Sequence, residues 1–373
     1  MSIVPPTGTT PDFRALPVKG IKKLSSNPVL TAAAAGLNYL RSGNAPGLRR
    51  RKAGKGFYYL DEKGQRCTDP ETLKRIKALA LPPAWREVWI SQDPLSHLQA
   101  TGLDEADRKQ YRYHAHWNQI RNHTKYYRLL SFANALPQLR AQVEKDLRQR
   151  HPTLSKAVAL VVKLMEKTCI RVGNLRYKVK HGSSGITTLD ARQADVQGNK
   201  LRFLFVGKKG IKHDITLRDR TLARLVKAYK DMPGRRLFQY LNDDGKRCTI
   251  SARHVNEYIQ THTGGNFSAK DFRTWMGTVT AFEYLSTQAV CQTQREFNRK
   301  INACLDAVAL HLGNTRAVCR KYYVHPAVVH AFEQDKLAHF VSRSTQEDSP
   351  LSPTEQRVKA LLSSFKLPLE QAS

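Results

Sequence analysis

Two adjacent tyrosines set among cations are where this chain first offers chemistry. The run Asn314-Thr315-Arg316-Ala317-Val318-Cys319-Arg320-Lys321-Tyr322-Tyr323-Val324-His325-Pro326 follows Gly313, a residue suited to ending a helix, and Thr315 is placed to cap the next one. A tyrosine two to three turns on, among Arg316, Arg320 and Lys321, lies in a field that draws in phosphate and stabilises the anion of a tyrosine nucleophile. Most tyrosines in basic helices only pack, so the reading needs further groups. Ser268 and Asp271 form a capping-box pattern that starts a helix, and Lys270 and Arg273 then lie one turn apart near its positive end. A guanidinium held there can grip phosphate oxygens in pairs. Arg171 closes an apolar helix and is followed by Arg176 and Tyr177. A lysine of Gly207-Lys208-Lys209-Gly210 tips a hairpin, where it can enter a groove and donate a proton to a leaving alkoxide. Each signal alone is weak.

These groups need a frame. Residues 1 to about 30 carry Pro5, Pro6, Pro11, Pro17 and Pro28 among Ser, Thr and Lys, which predicts a mobile leader over 1–30. A basic run, Arg49 to Lys52, precedes Gly56 to Gly64, where aromatic residues followed by Asp61 and Gly64 predict a β-hairpin. Pro70 to Leu79 has helical spacing, stopped before Pro82 and Pro83, and Val88-Trp89-Ile90 and His97 to Ala100 read as strands. A helix-rich stretch follows from about Asn118 to Arg171, with Val158, Leu160, Val161, Leu164 and Met165 as a buried face. Strands are predicted at Ile186–Leu189, Leu201–Val206 and His213–Leu217, and the remainder to about Glu333 is mostly helical. From Ser342, Pro350 and Pro353 predict a loose tail with one short amphipathic helix near Glu355 to Phe365. The fold class is α+β: a small β-rich domain over 31–118, a mainly helical domain with a small sheet over 119–340, and a tail over 341–373.

Charge narrows the partner. Lys and Arg number 62 against 31 Asp and Glu, a formal net charge of +31 that favours a polyanion through release of condensed counterions. Charge alone tells neither DNA from RNA nor binding from catalysis. The longest apolar stretches, such as Ala157 to Val162, stop far short of a bilayer span, and Met1 to Pro6 lacks the pattern of a secretory signal. The six cysteines have neither paired spacing nor a histidine at zinc-ligand distance, which predicts reduced thiols in a cytosolic protein without structural zinc.

In their order along the chain, these stretches resemble the type IB DNA topoisomerases, specifically their short poxvirus-like bacterial branch. The likeness runs from about Gly54 to Pro326. In the first module it rests on Gly56-Phe57-Tyr58-Tyr59-Leu60-Asp61, Leu81-Pro82-Pro83-Ala84-Trp85, His97-Leu98-Gln99-Ala100 and Arg108-Lys109-Gln110-Tyr111-Arg112-Tyr113-His114. In the second it rests on Ile170-Arg171-Val172-Gly173-Asn174, Phe205-Val206-Gly207-Lys208, Lys270-Asp271-Phe272-Arg273-Thr274-Trp275 and Leu312 to Pro326.

The resemblance implies a catalytic set of Arg171, Lys208, Arg273, Asn314 and Tyr323. It selects Lys208 over Lys209 because the family's lysine directly follows the glycine. It selects Tyr323 over Tyr322 because the nucleophile precedes one residue and then His-Pro. Viral members carry histidine at Asn314; asparagine donates only through its amide, which implies hydrogen bonding in the transition state without acid–base work. Tyr322 stands where relatives often have serine, and Asp107 where they tend to have glycine. The resemblance further implies DNA contacts from Gln110, Tyr111 and Tyr113 in the first domain, a clamp, and from Arg176, Tyr177 and Lys270 in the second. The implied activity is relaxation of supercoiled duplex DNA through a transient 3′-phosphotyrosyl break, with no metal and no nucleotide cofactor. The implied enzyme is a bacterial monomer, cytoplasmic and nucleoid-associated, with supercoiled duplex as preferred partner. A tyrosine site-specific recombinase shares this chemistry, and a non-catalytic duplex-binding protein could share the surface. Leu81 to Trp85 and Lys109 to His114 favour the topoisomerase.

Overall fold

The computed structural model describes residues 27–40, 45–54 and 56–365, without the side chains of 119 and 122–127. The chain divides into two compact units, the first reaching Arg128 and the second running from Leu129 to Phe365. The leader expected over residues 1–30 lies outside the described residues as far as 26. From Pro28 the chain is already helical: α1 spans Pro28–Ala34, and the Asn27 side chain accepts from the amides of Val29 at 3.0 Å and Leu30 at 3.2 Å. Pro28, counted as a breaker, sits in the first turn, where a missing amide costs nothing.

The first unit is built on a five-stranded antiparallel sheet of order β2-β1-β3-β4-β5. Its strands are β1 (Gly47–Ala53), β2 (Gly56–Leu60), β3 (Arg86–Ser91), β4 (Leu98–Leu103) and β5 (Lys109–Tyr113). Helix α2, Pro70–Ala78, starts on an Asp69 cap and buries Ile76 against Leu48, Val88, Ile90 and Ala100. The basic run is itself a strand, with Arg49 opposite Leu60 and Lys52 opposite Phe57. Arg50 tolerates this place because its guanidinium lies 4.2 Å from the centre of the Phe57 ring and donates to the Trp85 carbonyl at 2.6 Å.

The division between units falls inside helix α3, Ala115–Leu147, rather than at a break near residue 118. The second unit is mainly helical around one core. Helix α4 (Leu154–Thr168) buries Val158, Leu160, Val161, Leu164 and Met165, the face read from its spacing. A short helix α5 (Leu175–His181) precedes a three-stranded antiparallel sheet, β6 (Ala194–Gln197), β7 (Lys200–Val206) and β8 (Lys212–Arg218). The strand expected at Ile186–Leu189 is a 3-10 turn over Ile186–Thr188. Its amides are taken by the chain leaving α4, Ile186 by the Arg171 carbonyl at 2.8 Å and Thr187 by that of Val172 at 2.9 Å. The third strand is β6, which pairs with β7 instead.

Helix α6 (Arg220–Lys230), a small pair β9 (Gln239–Leu241) and β10 (Arg247–Thr249), and α7 (Ala252–Thr263) lead to the helices that carry the site. These are α8 (Ala269–Ser286), α9 (Gln294–Leu312) and α10 (Arg316–Tyr322), followed by α11 (Pro326–Glu333) and α12 (Leu337–Val341). The expected loose tail is instead, through Phe365, part of this unit. Helix α13, Pro353–Ser364, starts on a Ser352–Glu355 capping box and sends Val358, Leu361 and Leu362 into the core. Polar composition concealed this because the anchor is itself polar. The buried Glu355 accepts from Arg140 at 2.7 Å and from the Trp275 indole at 2.8 Å.

Candidate active site

Helix ends place the two arginines. Helix α4 stops with Cys169 in the left-handed region (φ 54°), and α9 stops with Gly313 at φ 56°. Each end leaves carbonyls without helical partners, at the negative pole of its helix. Arg273, on α8 and only 5% exposed, donates Nη1 to the Cys169 carbonyl and Nη2 to that of Leu312 at 2.7 Å. Arg171 donates Nη2 to the Gly313 carbonyl at 3.0 Å and to Oδ1 of Asn314. Both guanidiniums are thus fixed by backbone, and each keeps further N–H groups that these bonds do not occupy. The Ser268–Asp271 pair starts α8 as its pattern predicted, with the carboxylate accepting from the Ser268 amide at 2.8 Å.

Tyr323 sits one residue beyond α10, its amide bonded to the Cys319 carbonyl at 3.0 Å. Helix α8 holds it. Gly277, one turn after Arg273, lets the strand of chain carrying Tyr323 approach so closely that a Cβ there would lie 2.8 Å from its carbonyl oxygen. Thr278 donates to that same carbonyl at 3.3 Å and accepts from the His325 amide at 3.2 Å. The half-buried Tyr323 ring then lies 5.3 Å from the Arg273 guanidinium carbon. Tyr322 is the more exposed of the pair, with the Lys321 ammonium 5.4 Å from its ring.

The cluster is strongly cationic. Burial, and then Arg273, push the Arg171 pKa down to about 10, with Tyr323 and Cys319 pulling the other way. Burial pushes the Cys319 and Cys169 thiols up to about 11, so neither is a competing thiolate at neutral pH. Arg171 occupies the Asn314 side-chain oxygen, and its Nδ2 is buried with no hydrogen-bond partner among the described residues. Because a guanidinium can only donate, it must face the amide oxygen and turn the NH2 group the other way. An unpaired buried donor costs about 1–3 kcal/mol, which a bound oxyanion would relieve.

Lys208 stands on the exposed turn between β7 and β8, closed by the Gly207 amide on the Ile211 carbonyl at 2.7 Å. Among the described residues its ammonium has no carboxylate partner. No direct bond ties it to the arginines. Between them stands His213, which sequence reasoning read only as the start of a strand. Its ring stacks on Phe205 at 4.8 Å, and its pKa is lowered by burial and then by Arg171 and Arg273. The hairpin register was its available signal, since it places residue 213 across from 205, three residues before the lysine.

The expected DNA-contact residues are all on the surface or near it. Arg176 and Tyr177 are exposed on α5, whose start is capped by Asn174 at 2.9 Å from the Arg176 amide. Arg176 also lines an open groove with Arg236 and Arg253. Lys270 is exposed in the first turn of α8, one turn before Arg273. In the first unit, Tyr111 and Tyr113 project from one face of β5 with their rings stacked at 6.0 Å, while Gln110 is half-buried and donates to Asp104 at 2.8 Å.

Known proteins match this chain in two parts. Residues 114–347 match the family described as the catalytic core of eukaryotic DNA topoisomerase I, and residues 56–104 match the N-terminal domain of bacterial DNA topoisomerase IB. The DNA topoisomerase 1B of Acanthamoeba polyphaga mimivirus is 30% identical over 287 residues, covering 74% of this chain and 85% of that relative. Among the described residues no helix is long and apolar enough to cross a membrane. The chain belongs to the type IB DNA topoisomerases.

Proposed function

We propose that this topoisomerase relaxes supercoiled duplex DNA by joining Tyr323 transiently to a 3′-phosphate. The Tyr323 Oη attacks the scissile phosphorus and loses its proton to solvent. The bond from phosphorus to the 5′-oxygen breaks, and the departing oxygen keeps the electron pair and takes a proton from Lys208. Arg171, Arg273 and Asn314 bind the non-bridging oxygens, where charge grows in the pentacoordinate transition state. Two fixed guanidiniums supply the positive charge that other phosphoryl transfers draw from a metal ion, so the reaction needs none. The phosphotyrosyl bond conserves the ester, so religation needs no ATP. While the break is open, the free end rotates and supercoils of either sign relax.

The observation that carries this reading is the Asn314 amide, a buried donor without a partner among the described residues, beside two anchored guanidiniums and a tyrosine. Lys270, Arg176 and Tyr177 contact the duplex from the catalytic unit, and Gln110, Tyr111 and Tyr113 from the first, which serves as a clamp. Most of the affinity comes from phosphates, as a net charge of +31 supports. The enzyme acts as a monomer on nucleoid DNA in the cytoplasm, and it prefers supercoiled duplex. Plasmid relaxation in EDTA without ATP is the test. The wild type should relax fully, and Tyr323→Phe should bind DNA yet form no covalent adduct. Strict dependence on magnesium would contradict the reading.

A further inference from the structure

We infer that His213 is a positioning residue that seats the Lys208 hairpin against the Asn314 loop, and so governs delivery of the proton to the leaving 5′-oxygen. The inference rests on the acid role proposed above for Lys208.

The imidazole lies between two glycines, and each glycine immediately precedes a residue of the site. A Cβ at Gly207 would fall 2.6 Å from His213 Nε2 and 2.7 Å from Cδ2. A Cβ at Gly313 would likewise collide with His213 Cε1. Gly313 has a second reason to be glycine, its left-handed helix-end conformation at φ 56°. Gly207 has none, because φ −96° and ψ −163° are extended backbone open to any residue. What demands the missing side chain at 207 is the histidine ring.

The ring is held from behind. His213 and Phe205 are cross-strand partners, and their planes stack at 15°. Lys208 begins the turn just beyond that pair, where Lys209 and Gly210 both take positive φ, 63° and 74°. Touching Gly207 on one side and Gly313 on the other, the imidazole links the turn to the helical part of the site. No hydrogen bond to the ring is present among the described residues, so the contact is one of shape. Burial, and then Arg171 and Arg273, lower the imidazole pKa and so favour its neutral form, which fills this place without adding a third cation beside two guanidiniums.

The test compares single-turnover cleavage of two duplexes, one with the ordinary 5′-oxygen leaving group and one with a bridging 5′-sulfur, which departs without a proton. His213→Ala should slow cleavage on oxygen about 10²-fold, the usual worth of a positioned general acid, and should come within a few-fold of wild type on sulfur. Gly207→Ala should show the same pattern, since its methyl pushes the same junction apart while the histidine stays. It therefore decides the matter if His213→Ala does not fold. Arg273→Ala should stay slow on both substrates. If Lys208→Ala is rescued by sulfur while His213→Ala and Gly207→Ala are not, the positioning role is overturned and the acid role stands. If Lys208→Ala itself is not rescued, the acid role fails and this inference falls with it.

Discussion

The helical floor of the site and the hairpin above it hold their cations in opposite ways. Arg273 is buried and clasps two helix ends, and Arg171 is tied to a third carbonyl and to Asn314. Lys208 is exposed on a turn and, among the described residues, unpaired with any carboxylate. Charge stabilisation gains from groups that need no reorganisation when negative charge develops, and backbone carbonyls provide that rigidity. On the proposed mechanism, proton delivery needs only one group at one atom late in the reaction, for which a lysine on a shape-fitted turn suffices. The floor should therefore act on every substrate and the hairpin only on leaving groups that need a proton.

That contrast can be broken most sharply with Arg273. Arg273→Ala should reduce single-turnover cleavage about 10³-fold, the scale of a lost preorganised oxyanion donor. The loss should be equal for 5′-oxygen and 5′-sulfur leaving groups; selective recovery on sulfur would erase the distinction between floor and hairpin. Next in size is the anchor beneath the floor. Glu355 is buried against Arg140 and the Trp275 indole, two residues beyond Arg273 on the same helix. Burial pulls its carboxyl pKa up, but the bonds from Arg140 and Trp275 outweigh that and hold it below the usual value. A carboxyl depressed on folding contributes stability above its unfolded pKa and loses it as pH falls through the folded one. Glu355→Gln should thus cost about 3 kcal/mol at neutral pH in urea unfolding, with the difference from wild type closing in acid. A constant difference across pH would show that the charge contributes nothing. Smallest should be Asn314→Ala, about a 10²-fold loss in cleavage with DNA binding kept, because one amide donor is removed and both guanidiniums remain. Unchanged cleavage would remove the amide from the transition state.

Much of this was readable in the residues, and the omissions have physical causes. The apolar face of α4 and the capping pair that starts α8 follow from local spacing, which needs no knowledge of the rest of the chain. Ile186 misleads because its β-branched run has strand character, yet its amides are claimed by Arg171 and Val172, fifteen residues back. The tail misleads because Glu355 and Arg140, 215 positions apart, look like surface residues until each supplies the other's partner. In the site, residue types and order supplied the candidates. The convergence of Arg171, Arg273 and Asn314 depends on where helices α4 and α9 end against each other, which no local pattern encodes. His213 escaped notice because its role is one of shape, visible only once two glycines are found on either side of it.

The most direct measurement is to trap the cleavage complex by denaturation, digest it, and map by mass spectrometry the peptide that keeps a nucleotide. The account predicts a 3′-phosphate on Tyr323, in wild type and in His213→Ala alike, with the signal gone in Tyr323→Phe. A nucleotide on Tyr322, or a 5′-linkage, would contradict it.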